Sequence, residues 1–306
     1  MSTSITTTYA GEFAGKYISA ALLSADTLEG GGITIKPNVK YKEVIKTLST
    51  NALVKNAACD FADQSTVTLA ERILQPEEFQ VNLELCKKDF RSDWEAVEMG
   101  YSAFDTLPPS FADFLLGHIA AKVAQKTEET IWQGTTATAG EFDGFETLLA
   151  ADAGVIDVTG TSVTAANIIT EMGKVVDAIP TAIYGKEDLY IYVSSNVARA
   201  YVRALGGFGA SGLGANGVNN EGTTWFNGGD LAFDGVKLFV CSGMSDNTMV
   251  AALKSNLFFG TGLLSDHNEV KLIDMADLDG SQNVRVVMRF TSGVQFGIAA
   301  DCVLYS

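Results

Sequence analysis

The stretch between the proline pair Pro108-Pro109 and Gly134 constrains the fold of this chain more than any other. A proline pair stops what precedes it and pre-sets φ for a helix start, and Asp113 is placed to favour the N-terminal end of the helix dipole. Phe111, Leu115, Ile119, Val123, Thr127 and Ile131 then recur every fourth residue, with Phe114 and Ala121 near the same face, and Gly134 supplies the stop. The spacing predicts a helix running to Gln133, some ~24 residues and ~36 Å long. That is long for a compact domain and implies an elongated body built along it. Glu128 and Glu129 fall near its C-terminal end, the wrong sign for the dipole, at a cost of about 0.3–1 kcal/mol unless a cation arrives from elsewhere.

Around this helix the patterns are mixed. Residues 1–35 are rich in Ser, Thr, Ala and Gly, carry a short apolar patch at Tyr17–Leu23 and end in Gly30-Gly31-Gly32, which reads as an extended arm. Ser65–Leu69 and Phe79–Leu85 alternate with period two and are predicted to pair as a long hairpin, with Pro76, Glu77 and Glu78 at its exposed connection. Ile168, Ile169, Met172, Val175, Val176 and Ile179 describe an amphipathic helix closed by Pro180; Leu189–Val193 is a strand apolar on both faces. Ser195 can cap a further helix ended by Gly206-Gly207, and Val236–Val240 and Met249–Leu253 read as strands, the first preceded by an Asp234-Gly235 turn. Val284–Phe290 and Val294–Cys302 are predicted as two terminal strands around Thr291-Ser292-Gly293. The class is α+β, with no fixed repeat period that would support a solenoid.

Composition narrows function by exclusion. The 306 residues suggest about two domains, and 47% hydrophobic residues with only five prolines describe a folded chain. Lys and Arg number 21 against 37 Asp and Glu, a net charge of −16, which argues against a broad phosphate-binding face. No apolar run approaches the ~20 residues of a membrane span, and the first eleven residues carry no Lys or Arg, so neither a membrane partner nor a secretory signal is expected. Cys59, Cys86, Cys241 and Cys302 lack CxxC spacing and fit reduced, mostly buried thiols.

Gly207–Gly212 and Gly212–Gly217 both match GxGxxG, but they follow a helix instead of a strand and precede no helix pattern, so a mobile loop is expected there. Asp274, Asp277, Asp279 and Gly280 resemble part of a calcium loop, yet that register puts Met275 and Val286 where carboxylates are required. Asp266-His267-Asn268-Glu269 contains HxE without a following PCxxC, and the other histidine, His118, lies beside apolar Ile119. With no GxSxG elbow and no phosphate-binding P-loop, no catalytic, cofactor or metal residue is assigned.

One charge pattern stands out. Lys36, Lys40, Lys42, Lys46 and Lys55 face Glu43 alone, a local +4 in a strongly acidic protein. The cluster suits either an acidic partner surface or a ribbon whose lysines guard its edges against aggregation.

An extended arm, a lysine-bearing ribbon, one long helix, a central α/β region and returning terminal strands suit a tile that overlaps its neighbours. Three stretches carry a resemblance: Glu129-Thr130-Ile131-Trp132-Gln133-Gly134-Thr135 followed by Gly140-Glu141-Phe142-Asp143-Gly144-Phe145; Tyr190-Ile191-Tyr192-Val193-Ser194-Ser195-Asn196; and Lys254-Ser255-Asn256-Leu257-Phe258-Phe259-Gly260-Thr261. In this order, over almost the whole chain, the sequence resembles the major capsid proteins of tailed bacteriophages, of the Hong Kong 97 type, a fold also used by encapsulins. The resemblance implies an N-terminal arm at 1–35, an extended E-loop at 36–90, a peripheral domain with a spine helix at 91–145 and 270–306, and an α/β axial domain at 146–269.

It further implies a non-enzymatic protein that assembles with itself into pentamers and hexamers of an icosahedral head. That head encloses double-stranded DNA without sequence-specific binding and is put together in the host cytoplasm. Scaffold, portal and decoration proteins are the other partners of such a shell. An encapsulin shell and a nucleotide-binding α/β enzyme are the alternatives. The misplaced charges suggest one inter-subunit contact, in which Lys36, Lys40, Lys42, Lys46 and Lys55 of one copy meet Glu128 and Glu129 of the next.

Overall fold

The computed structural model describes residues 26–51, 54, 56–57, 59, 66–86, 109–205, 231–262 and 270–306. The first 25 residues of the expected arm, Lys55, the 206–217 glycine-rich loop, His267 and the His118 side chain lie outside that description. In chain order the elements are helix α1 (Asp26–Glu29), strands β1 (Thr34–Lys36), β2 (Glu43–Thr50), β3 (Val67–Leu74) and β4 (Glu77–Cys86), then the long helix α2 (Pro109–Gln133) and the short α3 (Phe145–Ala151). Strand β5 (Ile156–Val158), helix α4 (Ile168–Ala178), strand β6 (Leu189–Ser194) and helix α5 (Ser195–Leu205) follow, then β7 (Ala232–Phe233), β8 (Val236–Cys241), β9 (Met249–Leu253) and β10 (Leu257–Thr261). The chain closes with β11 (Val270–Asp274), α6 (Ala276–Asp279), β12 (Asn283–Phe296) and β13 (Val303–Tyr305).

The long helix has the predicted limits, and its length has a reason. Leu116, Ile119 and Val123 pack on Val270, Leu272, Val284, Val286 and Met288, whereas Ile131 and Trp132, at the far end, enter a second core. One helix thus ties two hydrophobic cores together. The second core collects the three stretches that carry the sequence resemblance: Trp132, Phe142 and Phe145 from the first, Tyr192 from the second, Leu257 and Phe259 from the third. Trp132 lies 5.4 Å from the Phe145 ring and 5.3 Å from that of Tyr192, both tilted, a geometry that adds to plain area burial. At the junction Gly134 and Gly144 join backbone to backbone at 2.9 Å. A Cβ on Gly144 would fall 2.5 Å from the Trp132 carbonyl, so only glycine fits.

Two sheets carry these cores. The six-stranded sheet has the order β5-β13-β9-β6-β8-β7, with β6 and β8 parallel. Ile191 and Val193 face α4 and α5, while Tyr190 and Tyr192 face the second core, which is why this strand reads as apolar on both sides. Asp234 and Gly235 both have positive φ and form the predicted two-residue turn between β7 and β8. The five-stranded sheet has the order β1-β10-β12-β11, with β4 on the other edge of β12.

Three expectations change. Strand β3 pairs with β2, from Glu43↔Leu74 to Thr50↔Val67, and β4 pairs with β12, so the predicted hairpin of the segments around 65–69 and 79–85 does not form. Leu74 is fully buried against Gly260, and the chain then steps at Gln75-Pro76 from the ribbon into the main sheet. Second, β12 is continuous through Thr291-Ser292-Gly293. Gly293 is no turn: a Cβ there would lie 3.0 Å from the Gln75 carbonyl and the Pro76 Cα, because the β3–β4 connection crosses at that point. Third, the 270–306 stretch is divided between sheets, since Val303–Tyr305 joins β5 and β9, while β10, from the expected axial region, belongs with β12.

Candidate functional site

The β2–β3 ribbon is the feature a self-contained globule would not keep. Register places Val44, Lys46, Leu48 and Thr50 opposite Ile73, Glu71, Leu69 and Val67 on one face. Leu48 is 64% and Leu69 72% exposed, and Val44, Val67 and Ile73 are exposed as well. A two-stranded ribbon with a solvated apolar face is marginal on its own.

Among the described residues its base is the part held by the main body. Leu74 and Ile45 are buried, and the Arg72 guanidinium, 4.1 Å over the Phe296 ring, forms an ion pair with Asp152 just after α3. The hydrogen bond from Arg72, reinforced by the Gly154 N–H, holds the Asp152 carboxyl below the usual carboxylate range. The Gln295 amide donates to the Ile73 carbonyl at 3.1 Å.

The lysine cluster is partly neutralised within the chain. Lys36 pairs with Glu43 and lies 4.9 Å over the Phe258 ring; Lys46 stands across the ribbon from Glu71. Lys40 and Lys42 are exposed. The two glutamates separate. Glu128 is 3% exposed: its carboxylate accepts the Thr27 N–H at 3.1 Å and the Thr27 hydroxyl, which in turn accepts from Trp132 Nε1 at 2.8 Å. Glu128 is therefore a correction to the expected surface contact. It satisfies a donor in the first turn of α1 that has no partner inside that helix, a role that no local spacing in the sequence could reveal. Glu129 is about half exposed and 3.8 Å from Lys126, and so keeps a surface. Lys126 also pairs with Glu141, whose carboxyl that hydrogen bond holds low.

Sequence reasoning also missed Glu146, whose side chain accepts the Ser245 N–H at 2.8 Å; burial pushes its carboxyl up. Cys241 and Cys302 are buried as expected, the Cys302 thiol pushed up to about 12 by burial, whereas Cys59 is exposed. Among the described residues no group of three or more His, Cys, Asp or Glu could hold a metal ion, and no helix is long and apolar enough to cross a membrane. Among the described residues the surface offers hollows. One of about 470 Å³ has a mixed lining that includes Glu78, Lys271, Arg289 and Phe290, and an apolar one of about 400 Å³ lies between α2 and β4.

No protein-family model matches the chain. No curated protein matches it. Solved structures do. A chain from the capsid of the native GTA particle aligns with a TM-score of 0.59 at 12% identity, covering 92% of this chain and 90% of that one. The virus-like particle from Pyrococcus furiosus aligns at 0.56 and 9% identity over 96% and 98%. The procapsid of satellite phage P4 aligns at 0.55 and 11% identity over 95% and 98%. At such identities the likeness concerns architecture, and over nearly its whole length the chain has the α+β fold of Hong Kong 97-type capsid shells.

Proposed function

We propose that this chain is the major capsid protein of a tailed phage, associating with itself into pentamers and hexamers of an icosahedral shell around double-stranded DNA. The role is structural, not catalytic. The observation that carries the reading is the β2–β3 ribbon, which is held at its base and leaves an apolar face in water unless a second copy covers it. The shell-like fold supports the same reading. Residues 1–35 would serve as the arm, 36–76 as the overlapping E-loop and α2 as the spine of the peripheral domain. β4 and β12 would complete that domain, and the six-stranded sheet with α4 and α5 would form the axial domain. Portal, scaffold and decoration proteins would be the further partners, and the virion the final location.

Many modest contacts summed over a closed symmetric shell give the stability that one ribbon cannot supply. A net charge of −16 suits a wall that must not hold packaged DNA tightly. At the inter-subunit contact, Lys40 and Lys42 would meet Glu129 of a neighbour, with Lys36, Lys46 and Lys55 adding to the field.

The test is Leu48→Lys combined with Leu69→Lys, two changes on exposed side chains. Unassembled chain with unchanged circular dichroism and an assembled yield reduced about tenfold or more is expected; wild-type shell yield would refute the ribbon's role. An encapsulin-type compartment is the second reading, since a shell-like architecture alone fits either. Nucleic acid recovered from purified particles separates the two, since an encapsulin would hold protein cargo instead.

A further inference from the structure

The open face of the β2–β3 ribbon is built in rungs. Directly opposed residues of an antiparallel pair point to the same side, so Val44 with Ile73, Lys46 with Glu71 and Leu48 with Leu69 form three successive rungs, a charged one between two apolar ones. All six residues are exposed. The side chains that tie the ribbon to the main body come from the other face: Ile45 and Leu74 are buried, and Arg72 pairs with Asp152 and lies over the Phe296 ring. The body therefore stands behind the ribbon, near its base, and leaves the runged face open.

The sign of the middle rung narrows what can cover that face. A fitting surface must offer apolar groups on both sides of a charge pair of opposite order, with rungs ~7 Å apart along the strands. The same face of a second copy meets this demand. Turned about a two-fold axis that runs along the strands, β2 of one ribbon lies over β3 of the other, so that Lys46 meets Glu71, Val44 meets Ile73 and Leu48 meets Leu69, each twice. A two-fold axis across the strands at the middle rung would instead set Lys46 on Lys46 and Glu71 on Glu71, which like-charge repulsion opposes. Aligned packing of two sheets ~10 Å apart and within about 30° of each other is a common arrangement. The two bodies, each behind its own ribbon, then lie on the outer sides of the pair.

We propose that two copies of this chain pair ribbon on ribbon through this face, about a two-fold axis parallel to β2 and β3. The inference rests on the reading that a second copy covers the ribbon, and it names the covering surface. The apolar rungs leave water together, and the middle rung forms two ion pairs between the copies, which fix the register.

Lys46→Glu makes the middle rung doubly negative and Glu71→Lys makes it doubly positive, both at exposed positions. Sedimentation equilibrium of the purified full-length protein compares the wild type, each variant alone and an equimolar mixture in which one variant carries a fluorescent label. Each variant alone is expected to associate about tenfold more weakly than the wild type, and the mixture to regain wild-type strength in dimers that contain one of each. A weakening that mixing does not reverse would put the ribbon on a different surface of its neighbour and overturn the proposal. Undiminished association of both single variants, or a wild-type chain that stays single at every concentration, would overturn it as well. Wild-type shells without rescue by mixing would sink the ribbon pair and leave the capsid reading standing, whereas rescue without wild-type shells would support the pair and count against that reading.

Discussion

Thr27 shows how much one hydroxyl can hold. It donates to Glu128 and accepts from Trp132, so Thr27→Val removes a partner from a buried carboxylate and from a buried indole at almost constant volume. Denaturant titration should show a loss of about 1–3 kcal/mol, whereas Thr27→Ser, which keeps the hydroxyl, should lose less. Glu146 behaves in the opposite sense. Its folded-state pKa is raised by burial, so its ionised form is disfavoured in the native protein and stability falls as pH rises from the unfolded value through the folded one. Glu146→Gln keeps an acceptor for the Ser245 N–H and should raise the melting temperature at pH 7. The gain should vanish where both forms of the wild-type group are protonated, below the ordinary carboxylate range. Neither residue was legible in the sequence, because each acts on a backbone far away along the chain: Glu128 on Thr27, 101 residues apart, and Glu146 on Ser245, 99 apart. What the sequence does carry is the misplaced sign of Glu128 at a helix end, a true anomaly whose partner lay inside the subunit.

At the scale of elements, periodicity was reliable where one element has one environment. The limits of α2, the burial of Ile168, Met172, Val175 and Val176 on α4, and the two-sided strand β6 all follow from the spacing of apolar residues. The ribbon was misread because its strands are exposed on both faces, so alternation says nothing about partner choice, and Pro76 looked like the tip of a hairpin when it is a step between sheets. Thr291-Ser292-Gly293 likewise has turn composition, but the glycine serves a backbone crossing. The mount of the ribbon can be tested apart from assembly. Arg72→Ala removes both the Asp152 pair and the contact with the Phe296 ring, worth about 1–2 kcal/mol together. Hydrogen exchange should speed up in β2 and β3 and stay unchanged in the buried turns of α2. Asp152 has a lowered folded-state pKa, so its contribution is present above the unfolded value and lost as pH falls through the folded one. The wild-type ribbon should therefore loosen in acid, and the Arg72→Ala protein should show no such pH dependence.

For the whole molecule the constraint is surface. Three cores and two sheets hold most of the buried residues, yet a ribbon with Leu48, Leu69, Val67, Ile73 and Val44 in water remains outside them. Such a surface marks an interaction site, and the fold is one that solved capsid shells use. The layout of arm, ribbon and long helix and the order of the three resembling stretches pointed to this architecture in the sequence. The division of strands between sheets did not show there, because pairing joins residues such as Leu85 and Val284 that no local pattern connects. Sedimentation velocity of the purified chain, with negative-stain microscopy of the fast fraction, tests self-assembly most directly. The account predicts capsomer rings or megadalton shells that disappear in the Leu48→Lys, Leu69→Lys protein. A species of one or two chains that persists at high concentration in the wild-type protein would contradict it.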